Sequence, residues 1–205
     1  NTQCADLKYL LMGGEALTPF APAGSTNYIN LYGPTECTVF VTSYQLQEYE
    51  DDLPIGKAIA NVKLYIVDSL GRRVPVGVPG ELCIAGVHVS RGYLNRPEKT
   101  AEVYEDNPFS NLAEYSRIYH TGDIVRYLPD GNIQFIGRRD GQVKIRGFRI
   151  ELTEVEEIIR RFPGIKDATV AAFDEPSGGK YIAAYVVADE EVDVDALNAF
   201  IEESK

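Results

Sequence analysis

The chain is short of the residues on which most metal and nucleophilic chemistry depends. It carries two histidines, His88 and His120, in 205 residues, too few and too scattered for a metal cluster or a catalytic triad. Its three cysteines, Cys4, Cys37 and Cys83, are odd in number and show neither a CxxC pair nor a zinc-like spacing, which argues for buried reduced thiols over a disulfide framework. Long apolar runs are missing too: the longest, around Tyr181–Ala188, falls far short of the ~20 residues that cross a bilayer. There is no basic-then-apolar leader, no internal repeat and no low-complexity segment. These absences predict a cytoplasmic protein with no membrane partner, for a chain whose first residue need not be its natural start. Positive charge is scarce as well. Twenty Lys and Arg against 31 Asp and Glu leave a net charge of −11, which opposes the phosphate attraction behind nucleic-acid binding and excludes nucleic acid as the expected partner.

What is present is a 44% hydrophobic chain, enough for a sizeable core in one domain or two small ones. Leu7–Met12 reads as a buried strand ending in Gly13–Gly14, and Tyr28–Tyr32 as a second apolar segment, so both deliver a polar loop to one region. From about 54 to 150 short alternating strands are cut by turns: Val62–Val67, Glu81–Ala85, Ile124–Leu128 and Asn132–Ile136. Gln142–Arg146 and Phe148–Ile150 continue this pattern. Thr153 with Glu156 then reads as a capping box for a helix with Val155, Ile158, Ile159 and Phe162 inward, stopped by Pro163–Gly164. Strands over 168–173 and 181–188 follow, joined by a turn at Pro176–Gly179. A last helix from Asp193 places Val194, Leu197 and Ile201 on one face.

Three short motifs carry chemistry. YGPTE at 32–36 packs an aromatic ring, a Gly-Pro turn, a hydroxyl and a carboxylate into five residues, so one turn aims three groups at one ligand; a plain type I or II turn is the competing reading. YHTGD at 119–123 places Asp123 after a Thr-Gly turn at the head of a strand. GRRDGQVKIRGFRIE at 137–151 gathers Arg138, Arg139, Lys144, Arg146 and Arg149 into a basic stretch able to attract a phosphorylated ligand. Its Asp140–Gly141 pair reads either as a hairpin turn or as a joint that absorbs backbone rotation. A further segment, GELCIAGVHVSRGYL at 80–94, has no evident chemistry, and Glu81 and Arg91 read as structural turn charges.

Together these segments resemble the signatures of adenylate-forming (AMP-binding) enzymes, and most nearly those of the adenylation domains of nonribosomal peptide synthetases, from about residue 7 to the C-terminus. The resemblance implies an α+β fold: residues 1–139 form the end of a large α/β core with a β-barrel-like subdomain, and 140–205 a small α+β lid hinged at Asp140. It implies ATP and Mg²⁺ as cofactors, with Tyr32 packing on adenine, Asn30 reading the adenine amino group, and Asp123 and Arg138 on the ribose. Thr35 and Glu36 become the candidate catalytic residues, Thr35 meeting the α-phosphate and Glu36 holding the metal. Gly147 would let a phosphopantetheine arm pass. Leu11, Gly13, Leu31, Val39 and Phe40 would line the acyl pocket and favour an uncharged side chain; packing in the core is the competing role for Leu11, Leu31 and Val39.

The implied activity is formation of an aminoacyl-AMP, followed by transfer of the aminoacyl group to the thiol of a peptidyl carrier protein domain. A condensation domain is expected in the same polypeptide. The family's phosphate-gripping loop, its amino-binding aspartate and its C-terminal lysine have no counterpart here, so the chain is expected to be a fragment inactive by itself. An acyl- or aryl-CoA ligase shares the ATP residues, and a noncatalytic scaffold would share the fold; the retention of Thr35, Glu36, Asp123 and Arg138 argues against the scaffold.

Overall fold

The computed structural model describes residues 6–145, 148–175 and 179–204. The chain divides into two compact units, Asn1–Asp140 and Gly141–Lys205. In the first unit, strand β1 (Tyr9–Gly13) runs parallel to β2 (Asn27–Tyr32), β2 pairs antiparallel with β3 (Thr42–Leu46), and β3 with β4 (Lys57–Ala58). The apolar run at Leu7–Met12 does form a strand, but it is not buried: Tyr9 and Leu11 are 61% and 57% exposed. Apolar composition favours the strand, while no described residue covers these side chains.

The second sheet of this unit contains β5 (Val62–Val67), β6 (Gly80–Gly86), β7 (Tyr104–Asp106), β8 (Arg117–Tyr127) and β9 (Ile133–Arg138). Every residue of β6 is buried. Its alternate side chains feed two clusters, Leu82 and Ile84 joining Ile66, Tyr119, Val125 and Ile133 on one face, and Cys83 and Ala85 joining Tyr65, Val67 and Ile118 on the other. A strand covered on both faces reads as a continuous apolar run, which is why ELCIA stood out in the sequence. Burial of each such side chain contributes roughly 1.5–3 kcal/mol. Cys37 and Cys83 are buried free thiols, and Cys4 lies outside the described residues.

Strand β8 is the hub. It pairs with β6 along one edge, and with β7 and β9 over different stretches of its length. A bridge between Gly56 and Ile133 links β9 to the segment entering β4, stitching the two sheets edge to edge. The Thr-Gly pair does not form a turn at a strand head. It lies inside β8 as a bulge: Glu81 faces Ile124 and Cys83 faces His120, so Leu82 alone spans Thr121, Gly122 and Asp123. Gly122 takes φ +72° there, and the Thr121 hydroxyl donates to the Leu82 carbonyl at 2.8 Å. The Thr-Gly composition favours a turn, but pairing of the flanking residues with β6 and β9 keeps the strand going. Glu81 is likewise no turn charge, since it sits buried within β6. A helix not visible in the sequence, α1 (Pro97–Val103), has proline at its start and no buried residue, hence no periodic apolar signal.

In the second unit, β10 (Val143–Ile145) and β11 (Phe148–Ile150) form an antiparallel pair, followed by α2 (Leu152–Arg160), the antiparallel strands β12 (Ile165–Asp174) and β13 (Lys180–Ala188), and α3 (Val194–Glu203). Ile159, Ala168, Val170 and Leu197 form its buried centre, with Val155, Phe162 and Ile201 packed around them. Two expectations fail here. Thr153 lies inside α2, whose N-cap is Glu151 with no side-chain cap bond, and Glu156 instead accepts from the Val170 amide at 2.8 Å; a strand partner outcompetes the helix terminus for that carboxylate. Val194 is 64% exposed, because α3 begins with it and Asp193 caps the helix by accepting from the Asp195 and Ala196 amides. The turn expected at Pro176–Gly179 and the Arg146–Gly147 step lie mostly or wholly outside the described residues.

Candidate functional site

The bulge in β8 turns Asp123 toward β9, where its register partner is Arg138. Arg138 Nη1 donates to Asp123 Oδ1 at 2.5 Å, and the Tyr32 hydroxyl, arriving from the end of β2, donates to Asp123 Oδ2. Two residues 91 apart in sequence are thereby joined. Asp123 is buried and Arg138 nearly so, which makes this a desolvated pair with a phenol added. Burial, then the Asp123 charge, hold the Tyr32 phenol well above its ordinary range, so it stays a donor.

Arg138 also spans to Asp140, through Nε to Oδ1 at 2.8 Å and Nη2 to Oδ2 at 2.5 Å. Burial opposes the charge on this guanidinium, but the Asp140 and Asp123 contacts outweigh it and hold its pKa above the ordinary value. The expected basic patch is therefore partly neutralised from within: Arg138 by two aspartates, and Arg139 by Glu81 at 3.0 Å. Gly122 packs tightly against this group. A Cβ there would lie 2.8 Å from Arg138 Nη2 and 3.0 Å from Asp140 Oδ2, so a side chain would push the Arg138–Asp140 pair aside, and the backbone is left-handed besides.

The YGPTE loop places its other groups differently. Thr35–Cys37 form one 3₁₀ turn, with Thr35 exposed and Glu36 buried. The Tyr93 hydroxyl donates to Glu36 Oε1 at 2.6 Å, and the Ser90 amide donates to the Glu36 carbonyl at 2.8 Å. Glu36 is thus anchored to the segment after β6, while Tyr32 is anchored to β8. Thr38 and Val39 both take left-handed φ, 56° and 73°, and the Val41 amide returns to the Tyr32 carbonyl at 2.8 Å. A β-branched residue at positive φ is a strained conformation held by its surroundings. Burial, then the Glu36 carboxylate, push the Cys37 thiol up to about 12, so it is no nucleophile at neutral pH.

Asn30 is buried at the centre of β2, and its Nδ2 donates to the Pro54 carbonyl at 2.8 Å, an anchor that leaves the amide oxygen as the atom suited to accept from an amino group. Of the residues expected at an acyl pocket, Leu11 and Val39 are 57% and 75% exposed, Gly13 is exposed, and Leu31 and Phe40 are half-buried. None belongs to the core of this chain. Gly147 lies outside the described residues. Asp140 is the last residue of the first unit, and Gly141, at φ +69°, opens the second.

The side chains fit a nucleotide and a divalent ion in kind. Asp123 and Glu36 offer anionic acceptors for hydroxyls and for a hard cation. Among the described residues no group of three or more His, Cys, Asp or Glu could hold a metal unaided, so an ion at Glu36 would take its remaining ligands from phosphate and water. A concavity of about 490 Å³ elsewhere in the first unit, lined by Leu64, Ile66, Arg73, Tyr127 and neighbours, contains none of these residues, and the site stands on side-chain chemistry instead. No helix among the described residues is long and apolar enough to cross a membrane.

Residues 1–94 match the family described as AMP-binding enzyme. Bacitracin synthase 1 of Bacillus licheniformis is 45% identical over 209 residues, covering 96% of this chain and 4% of that protein. Gramicidin S synthase 2 of Brevibacillus brevis is 44% identical over 204 residues, with the same two coverages. The chain therefore spans about 4% of the length of these curated relatives. Among solved structures, holo-PA1221, an NRPS protein containing adenylation and PCP domains bound to a vinylsulfonamide inhibitor, superposes with a TM-score of 0.81 at 32% identity, over 93% of this chain and 34% of that one. A four-domain nonribosomal peptide synthetase bound to AMP and glycine is 37% identical with a TM-score of 0.56, over 91% of this chain and 14% of that one.

Proposed function

Because the chain belongs to the AMP-binding enzyme family, as a segment of an adenylation domain of the nonribosomal peptide synthetase kind with a partial adenylate-forming α+β fold, we propose that it supplies the nucleotide-facing part of an amino-acid-activating ligase. In the first step an amino-acid carboxylate oxygen attacks the α-phosphorus of ATP, the bond to the β-phosphate breaks, and pyrophosphate leaves with the electron pair. In the second, the thiol of a phosphopantetheine on a peptidyl carrier domain attacks the acyl carbon, and AMP leaves.

The observation that carries this reading is the Tyr32–Asp123–Arg138 group. Its carboxylate, fixed from two sides by a phenol and a guanidinium, is suited to accept from the two hydroxyls of a ribose. Arg138, held between Asp123 and Asp140, would stand beside the ribose and phosphate region, and Asn30 would accept from the adenine amino group while the Tyr32 ring packs on the base. Thr35, exposed at the head of its turn, would donate to the α-phosphate, where charge builds in the transition state. A magnesium ion, when bound, would offset that charge further, and Glu36, steadied by Tyr93, would hold it.

Leu11, Gly13, Leu31, Val39 and Phe40, apolar or small and not taken into the core, support an amino acid with an uncharged side chain. Asp140 with Gly141 would serve as the hinge that moves the second unit between the steps, and Gly147 as the point where pantetheine passes the backbone. A condensation domain in the same polypeptide and a cytoplasmic setting complete the proposal. In the full-length protein, Asp123→Ala should raise the KM for ATP in amino-acid-dependent pyrophosphate exchange about 100-fold. Unchanged exchange would remove the ribose assignment. Running the same exchange over a panel of amino and aryl acids separates amino-acid activation from aryl-acid chemistry.

A further inference from the structure

Glu81 lies outside every motif role assigned above, yet it touches both sides of the site. We propose that Glu81 is a positioning residue for nucleotide binding: one buried carboxylate ties together the two strand positions that flank the Asp123–Arg138 pair, and so sets the geometry with which that pair meets a ribose. The inference rests on the nucleotide reading of the preceding subsection and goes beyond it, since no ligand contact by Glu81 is invoked.

Three contacts carry it. Glu81 Oε1 accepts from the Gly122 amide at 3.0 Å, and Gly122 immediately precedes Asp123. Glu81 Oε2 accepts from Arg139 Nη1 at 3.0 Å, and Arg139 immediately follows Arg138. The same oxygen lies 3.5 Å from His120 Nδ1, whose other nitrogen meets Glu105 Oε1 at 2.9 Å. Between the two flanks the Arg139 amide donates to the Gly122 carbonyl at 2.9 Å, closing the loop of bonds.

The stretch of β8 from His120 to Gly122 is the part that lies between its pairing with β7 and its pairing with β9. On that edge the bulge holds the Arg139 amide to the Gly122 carbonyl outside the β7 and β9 ladders, and from the β6 side the Glu81 side chain binds the Gly122 amide as well. Solvating a buried charge would need only the neighbouring imidazole. Arg139, with a side chain 65% exposed, instead reaches inward to the same carboxylate, which links β9 to the bulge. Contact with the Cys83 sulfur and with the Glu81 carboxylate raises His120 to about 11, so the imidazole is a cation at neutral pH and donates from both nitrogens. Burial alone would push the Glu81 carboxyl up, but the His120 and Arg139 contacts take it below its ordinary value, and it stays an anion.

Glutamine at this position keeps the shape and can still accept from the Gly122 amide, but its NH₂ then confronts two donors, Arg139 and His120. The Arg139 tie to Glu81 is lost while the Asp123 and Arg138 side chains themselves are unchanged and free to shift. The test is equilibrium binding by titration calorimetry on the full-length protein, with ATP and with 3′-deoxy-ATP. Wild type should prefer ATP about ten-fold or more, because a carboxylate built to accept from hydroxyls rejects a ligand lacking one. In Glu81→Gln the Kd for ATP should rise about ten-fold while that for 3′-deoxy-ATP rises far less, so the preference shrinks to about two-fold or below.

A folded Glu81→Gln protein that keeps the wild-type preference overturns the proposal, since a purely structural role would leave the ratio of the two affinities unmoved. Should that variant not fold, Arg139→Met, altering an exposed side chain at the other end of the tie, carries the same test and should shift the ratio in the same direction. A wild type that binds both nucleotides equally removes the ribose assignment itself, and this proposal with it.

Discussion

The two units of the chain handle charge in opposite ways. In the first, ion pairs are drawn inside: Arg138–Asp123 has side chains 15% and 9% exposed, and Glu81 is held by His120 and Arg139 at 9% exposure. In the second most of the described pairs lie on the surface: Lys166–Asp189, Lys180–Asp174 and Arg161–Glu157 are each at least 44% exposed on both sides, and only Arg160–Glu156 reaches a carboxylate at 17% exposure. Exposed pairs contribute little, because water solvates either partner as well as the other does. Buried pairs are costly to assemble and very costly to halve. The contrast teaches that the second unit relies mainly on its apolar centre, with Glu156 and Arg160 tying α2 to β12, whereas the first carries a buried polar network whose cost makes sense only if it is used.

The comparison can be broken at several points. Ile84→Ala should destabilise the first unit by about 3–4 kcal/mol, since Ile84 is fully buried at the middle of a strand covered on both faces; a loss under 1 kcal/mol in urea unfolding would show that this centre is not what holds the network in place. Next in size, Gly141→Ala meets nothing within 4 Å but forces a side chain into a left-handed backbone. Pyrophosphate exchange by the full-length protein should stay at the wild-type rate while thiol loading of the carrier slows about five-fold, if the residue is a hinge. Asp140 is a poorer probe than its neighbour, because its carboxylate is bound to Arg138 and any substitution there disturbs the site as well.

A smaller effect should follow pH. His120 has its folded pKa raised, so the stability it confers is complete below its ordinary value of 6.5 and disappears as pH rises toward about 11. Glu81, with its pKa lowered, confers stability that is present above 4.5 and is lost as pH falls through its folded value. The stability gap between wild type and His120→Gln should therefore be widest near pH 6 and narrow steadily from pH 7 to pH 11. A gap independent of pH would mean that the imidazole is neutral in the folded state. Lys166→Ala in the second unit should do least of all, leaving the melting midpoint within about 2 °C.

Much of the scaffold was readable from local pattern. β5, β6 and β9 announced themselves as short apolar runs between turns, and α2 and α3 by their inward-facing Val155, Ile159, Leu197 and Ile201. What could not be read depends on partners distant in sequence. The Thr-Gly pair has turn chemistry, and only β6 on one side and β9 on the other make it a bulge within one strand. Glu156 has the spacing of a capping box, and only β12 shows that its carboxylate is taken by Val170. β1 has a buried strand's composition but lies exposed. Tyr32, Asp123 and Arg138 were named from separate motifs and meet in one hydrogen-bonded group, while the roles of Glu81 and His120 in that network were not read because a lone carboxylate and a lone imidazole carry no spacing signal; the polar residue beside the apolar LCIA run was the clue available.

The excursion at Thr121–Asp123 has one more consequence. Three residues on β8 stand where one stands on β6, an excess of two, and two is even. Side chains alternate with a repeat of two, so Tyr119 before the excursion and Val125 after it still enter the same apolar cluster. An odd excess would have turned the second half of the strand inside out. Parity lets the Asp123 carboxylate ride on a detour that does not invert the strand against β6, while on the opposite edge β9 answers with a one-residue shift between Ile124 and Val125.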